Sequence, residues 1–469
     1  MKTIWIAIGP VVAIVVALAV RSAGAADSAA LTAGITALCA VWWVTEAIPI
    51  PATSLLPMAL LPLMGVATSQ DVAQAYGHPL ILLLMAGFML STAMEKSGAH
   101  RRLALLMVRL CAGGTKQATQ GEVTGRRLVL GFMLATTVLS MWVSNAATTL
   151  MLLPIALATL ERSGDSRLRT ALLLGIAYSA SIAGVGTPVG TPPNLICLQQ
   201  YADLTGAEPT FTSWMSWALP IVVLMIPCSA IWLTRGLGRA ADIDLPEVGA
   251  WRAQEVRTLA VFGATALLWV TCKEPFGGWS EWTGLSGAND ATVALLAVVV
   301  MFLIPSGERN EQGEADRLLD WETAKRIPWG MLLLFSGGMV LASGFRASGL
   351  SDLLGGALIG LADAPTPLLL AGICLSVTFL TEVTSNTATT ALLMPLLASM
   401  SEATGLDPRL LMVPAAISAS FAFMLPVATV PNAVVYGAGV STRKMAAEGF
   451  ALNLIGAAII SLVCYWQFG

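Results

Sequence analysis

Charge is scarce in this chain, and that scarcity excludes an ordinary soluble domain. Only 11% of the 469 residues are Asp, Glu, Lys or Arg and 56% are apolar, where a soluble domain carries about 25% charged residues. Histidine is nearly absent: His78 and His100 lie in different segments, which leaves little for a histidine-based metal centre. The seven cysteines, Cys39, Cys111, Cys197, Cys228, Cys272, Cys374 and Cys464, fall mostly in apolar runs without a CxxC pair, so they read as small buried hydrophobes. No GxSxG, HExxH or paired-Asp pattern occurs, which removes the usual machinery of an intramembrane enzyme. A net charge of −3 offers nothing to nucleic acid.

What the chain has instead is apolar length. Residues 4–20, 213–234 and 450–466 approach or exceed the ~20 residues that cross a ~30 Å hydrocarbon core. Basic residues orient such spans, because Lys and Arg in short loops stay cytoplasmic. Eleven crossings with the N-terminus inside place 21 of the 25 basic residues on that side, leaving Arg21, Lys273, Arg346 and Arg409 outside. The C-terminus is then outside, in a multi-pass protein of the cell (inner) membrane.

Two segments resist a simple crossing. Residues 128–160 are uncharged, about 50 Å as a continuous helix at 1.5 Å per residue, too long for one span and too short for two with a turn. Basic residues flank both ends (Arg126 and Arg127; Arg162, Arg167 and Arg169), so the segment is expected to enter and return as a re-entrant hairpin. At its middle stands SNAATT (144–149), and the same word recurs as SNTATT (385–390) within 364–401. The second copy, with few basic flanks, is expected to enter from outside. Residues 170–202 and 410–442 then each cross once as broken helices, because GVGTPVGTPPN (184–194) and LPVATVPN (425–432) contain prolines without an N–H. YSASI and ISASF (178–182 and 417–421), and a looser echo of 82–98 in 333–349, extend the repeat. Corresponding interrupted spans in two oppositely inserted halves are the sign of an inverted-repeat transporter.

The chemistry of tips and breaks is hydroxyls, amides and open backbone, with no Lys, Arg or His. Helix N-termini favour an anion, and unwound carbonyls with Ser, Thr and Asn oxygens favour a small hard cation. A dianion would need compensating charge, for which cotransported sodium is the natural source. An ion channel also places polar backbone at mid-membrane; counterflow, which only a carrier shows, separates the two.

WWVTEAIPIPATSLLP (42–57), the two SN words and the paired PN breaks together resemble the divalent anion/sodium symporter family of dicarboxylate, citrate and sulfate carriers, over essentially the whole chain. The resemblance implies an all-α elevator-type homodimer of about 11 transmembrane helices and two hairpins. Its scaffold would comprise 1–125 and 241–362. Its transport part would comprise 126–240, with the span 213–234, and 363–469, with the last span 446–467. One sodium would be held by Ser140, Ser144, Asn145 and the Gly190 carbonyl, the other by Thr381, Thr384, Asn386 and the Ala428 carbonyl. Substrate would meet Ser144, Asn145, Thr191, Pro192, Ser385, Asn386, Thr387 and Thr429. Membrane lipid and a small divalent organic anion are the implied partners.

The expected function is sodium-coupled import of succinate, fumarate and malate; alternatives are a sodium-coupled citrate or sulfate symporter and a sodium-independent dicarboxylate exchanger. Two departures stand out: Ala146 replaces the family's Thr in the first word, and Val430 stands where the first repeat has Pro192. Glu382, an intramembrane carboxyl and so a functional candidate, matches Met141 in the repeat and is expected to hydrogen-bond structurally, with ion coupling as the alternative. Glu46 is expected to fix a helix end near the interface, with a place on the pathway as the alternative, and HRRLALLMVRL (100–110) to form an amphipathic arm on the inner surface.

Overall fold

In the computed structural model the chain is described over residues 2–112, 125–160, 165–207, 209–237, 249–273, 277–285, 287–309, 313, 315–358 and 365–469. Lys116, Arg162 and Arg239, the acidic Glu161, Glu208 and Asp363, and the part boundaries at 240–241 and 362–364 lie outside them. Among the described residues, six helices are long and apolar enough to cross a membrane: Thr3–Ser22, Asp27–Thr45, Ser69–Ser97, Phe211–Leu233, Trp329–Ser348 and Thr442–Phe468. Shorter apolar helices such as Ile50–Leu63 and Asp290–Leu303 lie between them. The all-α expectation needs one correction. Pro305–Arg309 and Ala315–Arg317 pair as an antiparallel ribbon. These polar residues lie in a loop whose backbone groups have no helix to satisfy them, and the ladder does so instead.

Each of the two segments expected as a hairpin holds a pair of helices. The first has arms Gly125–Ser140 and Asn145–Leu160, the second Thr366–Leu380 and Asn386–Thr404. Both arms of the first pack on one helix, Ser166–Gly184, and both arms of the second on Pro408–Ser418. Two arms can share one short helix only if the chain reverses between them. The prolines after each word, Pro154 and Pro395, lie inside the second arms, where each removes one backbone donor.

The broken helices also form. Ser166–Gly184 stops before Pro192–Thr205, and Pro408–Ser418 stops before Val430–Gly437. Trp329–Ser348 packs on Ile50–Leu63, and Gly337 allows the approach, since a Cβ there would stand 2.3 Å from the Ser54 carbonyl oxygen. The arm forms as Ala99–Ala112. Arg102 on it is buried and donates to Glu255 at 2.7 Å, tying the arm to the start of helix Ala253–Val270.

Candidate functional site

The repeated word is a helix start. Ser144 accepts the Ala147 N–H at 3.2 Å, and Ser385 accepts the Ala388 N–H at 3.4 Å. Each serine thereby satisfies one of the donors a helix leaves open at its beginning. The breaks end in the same way. Thr429 accepts the Asn432 N–H at 3.3 Å, whereas Thr191 stands at the matching cap without a side-chain bond to its helix. Prolines Pro192, Pro193 and Pro431 occupy first-turn positions, where no N–H is needed.

These four helix starts meet at one cavity of about 420 Å³. All eight residues expected to contact the anion line it: Ser144, Asn145, Thr191, Pro192, Ser385, Asn386, Thr387 and Thr429. So do Ala146 and Val430, the two departures from the repeat. Among the described residues that line it there is no Lys, Arg or His, and Glu46 is the one charged side chain. Four positive dipole ends therefore face a space without a basic side chain.

Each break is held open by an asparagine. Asn194 Nδ2 donates to the carbonyls of Gly184 (2.9 Å) and Thr187 (2.7 Å). Asn432 Nδ2 donates to those of Ala422 (3.0 Å) and Leu425 (3.0 Å), the same bonds at matching places. Carbonyls freed by the lost helical ladder are thus satisfied within the protein. At the first break the Thr187 hydroxyl also bonds the Met141 carbonyl at the tip. A Cβ on Gly190 would stand 2.4 Å from the Gly184 carbonyl oxygen, so the turn closes only around a bare Cα.

The oxygens expected to hold sodium lie in and just behind the cavity wall. Ser144, Asn145, Gly190, Thr384, Asn386 and Ala428 line the cavity, while Ser140 and Thr381 are fully buried outside its lining. The Ser140 hydroxyl is 2.6 Å from Asn145 Oδ1 and donates to the Ala180 carbonyl at 3.0 Å. In the second half Asn386 Oδ1 is buried without a partner, as are the hydroxyls of Thr378, Ser418 and Ser420. Unpaired buried oxygens are costly unless something polar arrives. Thr381 and Thr384 instead bond carbonyls one turn back, Thr378 O at 3.0 Å and Leu380 O at 2.8 Å; the Thr384 hydroxyl also meets that of Thr389 at 2.8 Å, so it keeps one lone pair free where Thr381 keeps two. The donor set fits a hard cation of sodium's kind.

Part of the wall carries no polar word and went unanticipated: Gly87, Phe88 and Ser91 from helix Pro79–Ser97, with Pro328 and Met331 at the start of helix Trp329–Ser348. Of the two echoed stretches, 82–98 borders the site, whereas Pro328 and Met331 lie just before 333–349. Trp142, at the first tip, also lines the cavity and stacks on Phe211 and Trp269 at centroid distances of 5.8 and 6.4 Å. Glu46 ends helix Asp27–Thr45 in the left-handed conformation, φ 47°, as its expected place at a helix end requires, and it faces the cavity as well. Glu382 accepts hydrogen bonds from Met424 N, Leu425 N and Asn453 Nδ2, the structural bonding expected of it.

The model of the sodium:sulfate symporter transmembrane region matches residues 2–468. The sodium-dependent dicarboxylate transporter SdcS of Staphylococcus saprophyticus is 38% identical over 489 aligned residues, covering 99% of this chain and 91% of that protein. SdcS of Staphylococcus aureus is 38% identical over 92% of this chain and 84% of its own. The crystal structure of the Alcanivorax borkumensis YdaH transporter matches with a TM-score of 0.61 over 92% of this chain and 98% of that one, at 16% identity, a likeness of fold alone. The chain belongs to the sodium:sulfate symporter family and is a multi-pass membrane transporter, not an enzyme.

Proposed function

We propose that this protein carries C4-dicarboxylates (succinate, fumarate and malate) into the cell in symport with sodium. The observation that carries this reading is the convergence of four helix N-termini on a cavity whose lining has no basic side chain. Helix N-termini favour carboxylate oxygens, each contributing a partial charge. A dianion leaving water needs more, and cations seated at the two tips supply it. The relatives named sodium-dependent dicarboxylate transporters agree with both cargoes.

Coupling follows from the amide chemistry of the tips. A carboxamide has an acceptor oxygen and a donor nitrogen. With Oδ1 of Asn145 or Asn386 turned to a cation, Nδ2 is left to meet a carboxylate in the cavity. Ser140, Ser144 and the Gly190 carbonyl complete the first cation set; Thr381, Thr384 and the Ala428 carbonyl complete the second. Thr191, Pro192, Ser385, Thr387 and Thr429 surround the anion. Loading sodium thus organises the anion site, and the anion stabilises loaded tips.

Movement of the site between membrane faces completes the cycle. The hairpins pack on the broken helices, which supports a transport part (126–240 and 363–469) sliding as one body on the scaffold (1–125 and 241–362) of a homodimer. The matched bonds of Asn194 and Asn432 support an internal repeat, and the distribution of basic residues supports its inversion, with hairpins entering from opposite faces, eleven crossings, the N-terminus cytoplasmic and the C-terminus outside. The test is uptake of labelled succinate, citrate and sulfate into proteoliposomes, each with and without a sodium gradient. Succinate uptake should rise sigmoidally with external sodium. Equal uptake in potassium and sodium would replace symport by exchange.

A further inference from the structure

Away from the transport cavity, a second space of about 370 Å³ opens at the root of the arm. Among the described residues that line it are Arg101, Arg102 and Arg252, with Glu255 as the one carboxylate, over the backbone of Gly98 and Gly249. Three guanidiniums against one carboxylate leave the space positive. Its back wall is fixed: Arg102 and Glu255 are both buried, and Arg102 directs Nε to Glu255 at 2.7 Å and Nη1 and Nη2 to the Gly249 and Ala250 carbonyls, each at 2.6 Å. Arg252 lies across Gly98, where a Cβ would stand 2.9 Å from its Nη2. Its Nε reaches Glu255 at 3.3 Å and its Nη2 the Ser97 carbonyl at 2.9 Å. Nη1 is left with Glu308 at 3.9 Å, an exposed pair of the kind that contributes little. The Arg101 guanidinium, on the exposed side of the arm, forms no ion pair or hydrogen bond among the described residues.

The surface beside this space is apolar. Leu106 and Leu110 follow Arg102 at intervals of one turn, in a row along the arm, and both are exposed. Trp251, whose ring centroid lies 4.9 Å from the Arg102 guanidinium carbon, is exposed too, as is Val256 on the neighbouring helix. Tryptophan at such a place is the residue of a membrane–water interface. A free anion has no use for the leucines and the tryptophan, whereas a molecule with a phosphate at one end and hydrocarbon at the other uses both surfaces. The bias of basic residues sets the arm on the inner face, where anionic lipids meet basic pockets.

We propose that this pocket binds the phosphate group of an anionic inner-leaflet phospholipid, with Arg101 and Arg252 as its ligands and Leu106, Leu110 and Trp251 beside its acyl chains. A guanidinium presents a planar fork that matches two phosphate oxygens at once. Arg102 and Glu255 hold the pocket's shape and leave the phosphate to the two more exposed arginines. The lipid fastens the root of the arm to the membrane surface, and every lining residue belongs to 1–125 or 241–362, so under the proposed elevator it stays with the scaffold. Neither sodium nor the carried anion takes part, and loss of this site would leave the proposed symport standing.

The test is native mass spectrometry of the detergent-solubilised full chain, titrated separately with phosphatidylglycerol, phosphatidylcholine and inorganic phosphate. Wild type should retain phosphatidylglycerol in preference to phosphatidylcholine, and inorganic phosphate should not displace it. Arg101→Gln should weaken the tightest phosphatidylglycerol about fivefold, the scale of one basic residue at an anionic surface, and leave phosphatidylcholine unchanged. Arg101→Gln combined with Arg252→Gln should abolish the preference. Arg257→Gln removes an exposed charge from the same helix outside the pocket and should bind phosphatidylglycerol as wild type does. Equal phosphatidylglycerol affinity in wild type and Arg101→Gln overturns the proposal. So does an equal loss in Arg257→Gln, the mark of diffuse surface charge. Inorganic phosphate that binds as tightly as the lipid would make this a site for a free anion and overturn the lipid assignment. Should the double variant fail to fold, Arg101→Gln and Arg257→Gln, both at exposed side chains, decide between these outcomes.

Discussion

The amide of Asn145 lies against the bare Cα of Gly184: a Cβ at residue 184 would stand 2.6 Å from Oδ1 and 2.7 Å from Nδ2. The first tip is seated on its break through this contact and through Ser140, whose hydroxyl meets the same Oδ1. At the second break the matching residue is Ala422, so its tip is seated differently. Gly184→Ala must push the Asn145 amide aside, and overpacking of this kind costs about 1–3 kcal/mol. Succinate transport should fall about tenfold or more, with half-saturating sodium raised, while the purified protein stays monodisperse. Unchanged sodium dependence would place the cation away from Asn145.

The two tip asparagines should respond unequally to truncation. Asn386 Oδ1 has no partner within the protein, so Asn386→Ala removes a ligand without stranding a neighbour. Asn145→Ala also removes the hydrogen bond from Ser140 Oγ, about 0.5–1.5 kcal/mol net, although the Ala180 carbonyl remains as that hydroxyl's other acceptor. Both variants should lose at least about tenfold in transport, and only Asn145→Ala should also melt at lower temperature. Uptake and thermal melting of the same preparations check this, and normal transport by both would make the tips structural.

Much of this site was legible in the sequence because its chemistry is local. The SN words are helix caps, the PN breaks are first-turn prolines followed by a stapling asparagine, and each signal spans a few residues. The apolar wall was not legible: Phe88 and Met331 look like any other lipid-span residues until packing turns them inward. Nor was the bond from Glu382 to Asn453, which joins residues 71 apart on separate helices. The ribbon Pro305–Arg309 with Ala315–Arg317 is too short and too charged to announce itself through alternation.

Ala146 and Thr387 face the same cavity from the two tips, and only the second carries a hydroxyl. Under the proposed function, one end of a C4-dicarboxylate is then held by Asn145, helix N–H groups and the adjacent cation alone. Ala146→Thr adds a hydroxyl worth roughly 0.5–1.5 kcal/mol net, and it should tighten succinate a few-fold without changing sodium dependence. Competition by citrate and sulfate in the same uptake measurements should stay weak. If sulfate outcompetes succinate in wild type, the substrate assignment falls.

At the end of the span Ser69–Ser97, Lys96 binds the ribbon region, outside the spans, through Asp316 (2.9 Å) and Asp320 (2.6 Å). It thereby anchors the end of the helix whose Phe88 and Ser91 wall the cavity. Partial burial works to raise the Asp320 carboxyl, but the Lys96 ammonium and the Thr323 N–H and hydroxyl outweigh it, and the group is held below its usual range. A folded-state value lower than the unfolded one gives stability that is present above the unfolded value, about 3.9, and lost as pH falls through the lower folded one. Wild type should melt higher than Asp320→Asn at pH 6, and the difference should shrink as pH is lowered from about 5 to 3. A difference that stays constant over that range would remove Asp320 from the acid response.

Trp142 ties the first tip to helix Ala253–Val270 through Phe262 (5.7 Å, edge to face) and Trp269 (6.4 Å, stacked). Under the proposed elevator these residues lie on opposite sides of the sliding boundary, with Trp142 in the transport part and the other two in the scaffold. The stack must therefore part during each cycle, although aromatic pairs of this geometry contribute about 0.5–1.5 kcal/mol each beyond their burial. Trp142→Cys combined with Phe262→Cys, joined by a short bifunctional thiol reagent with a reducible linker, should stop succinate uptake, and reductant should restore it. Either single variant, and wild type with its native cysteines, should transport after the same treatment. A cross-linked double variant that still transports at the untreated rate would show that tip and helix travel together, and the boundary between moving and fixed parts would have to be redrawn.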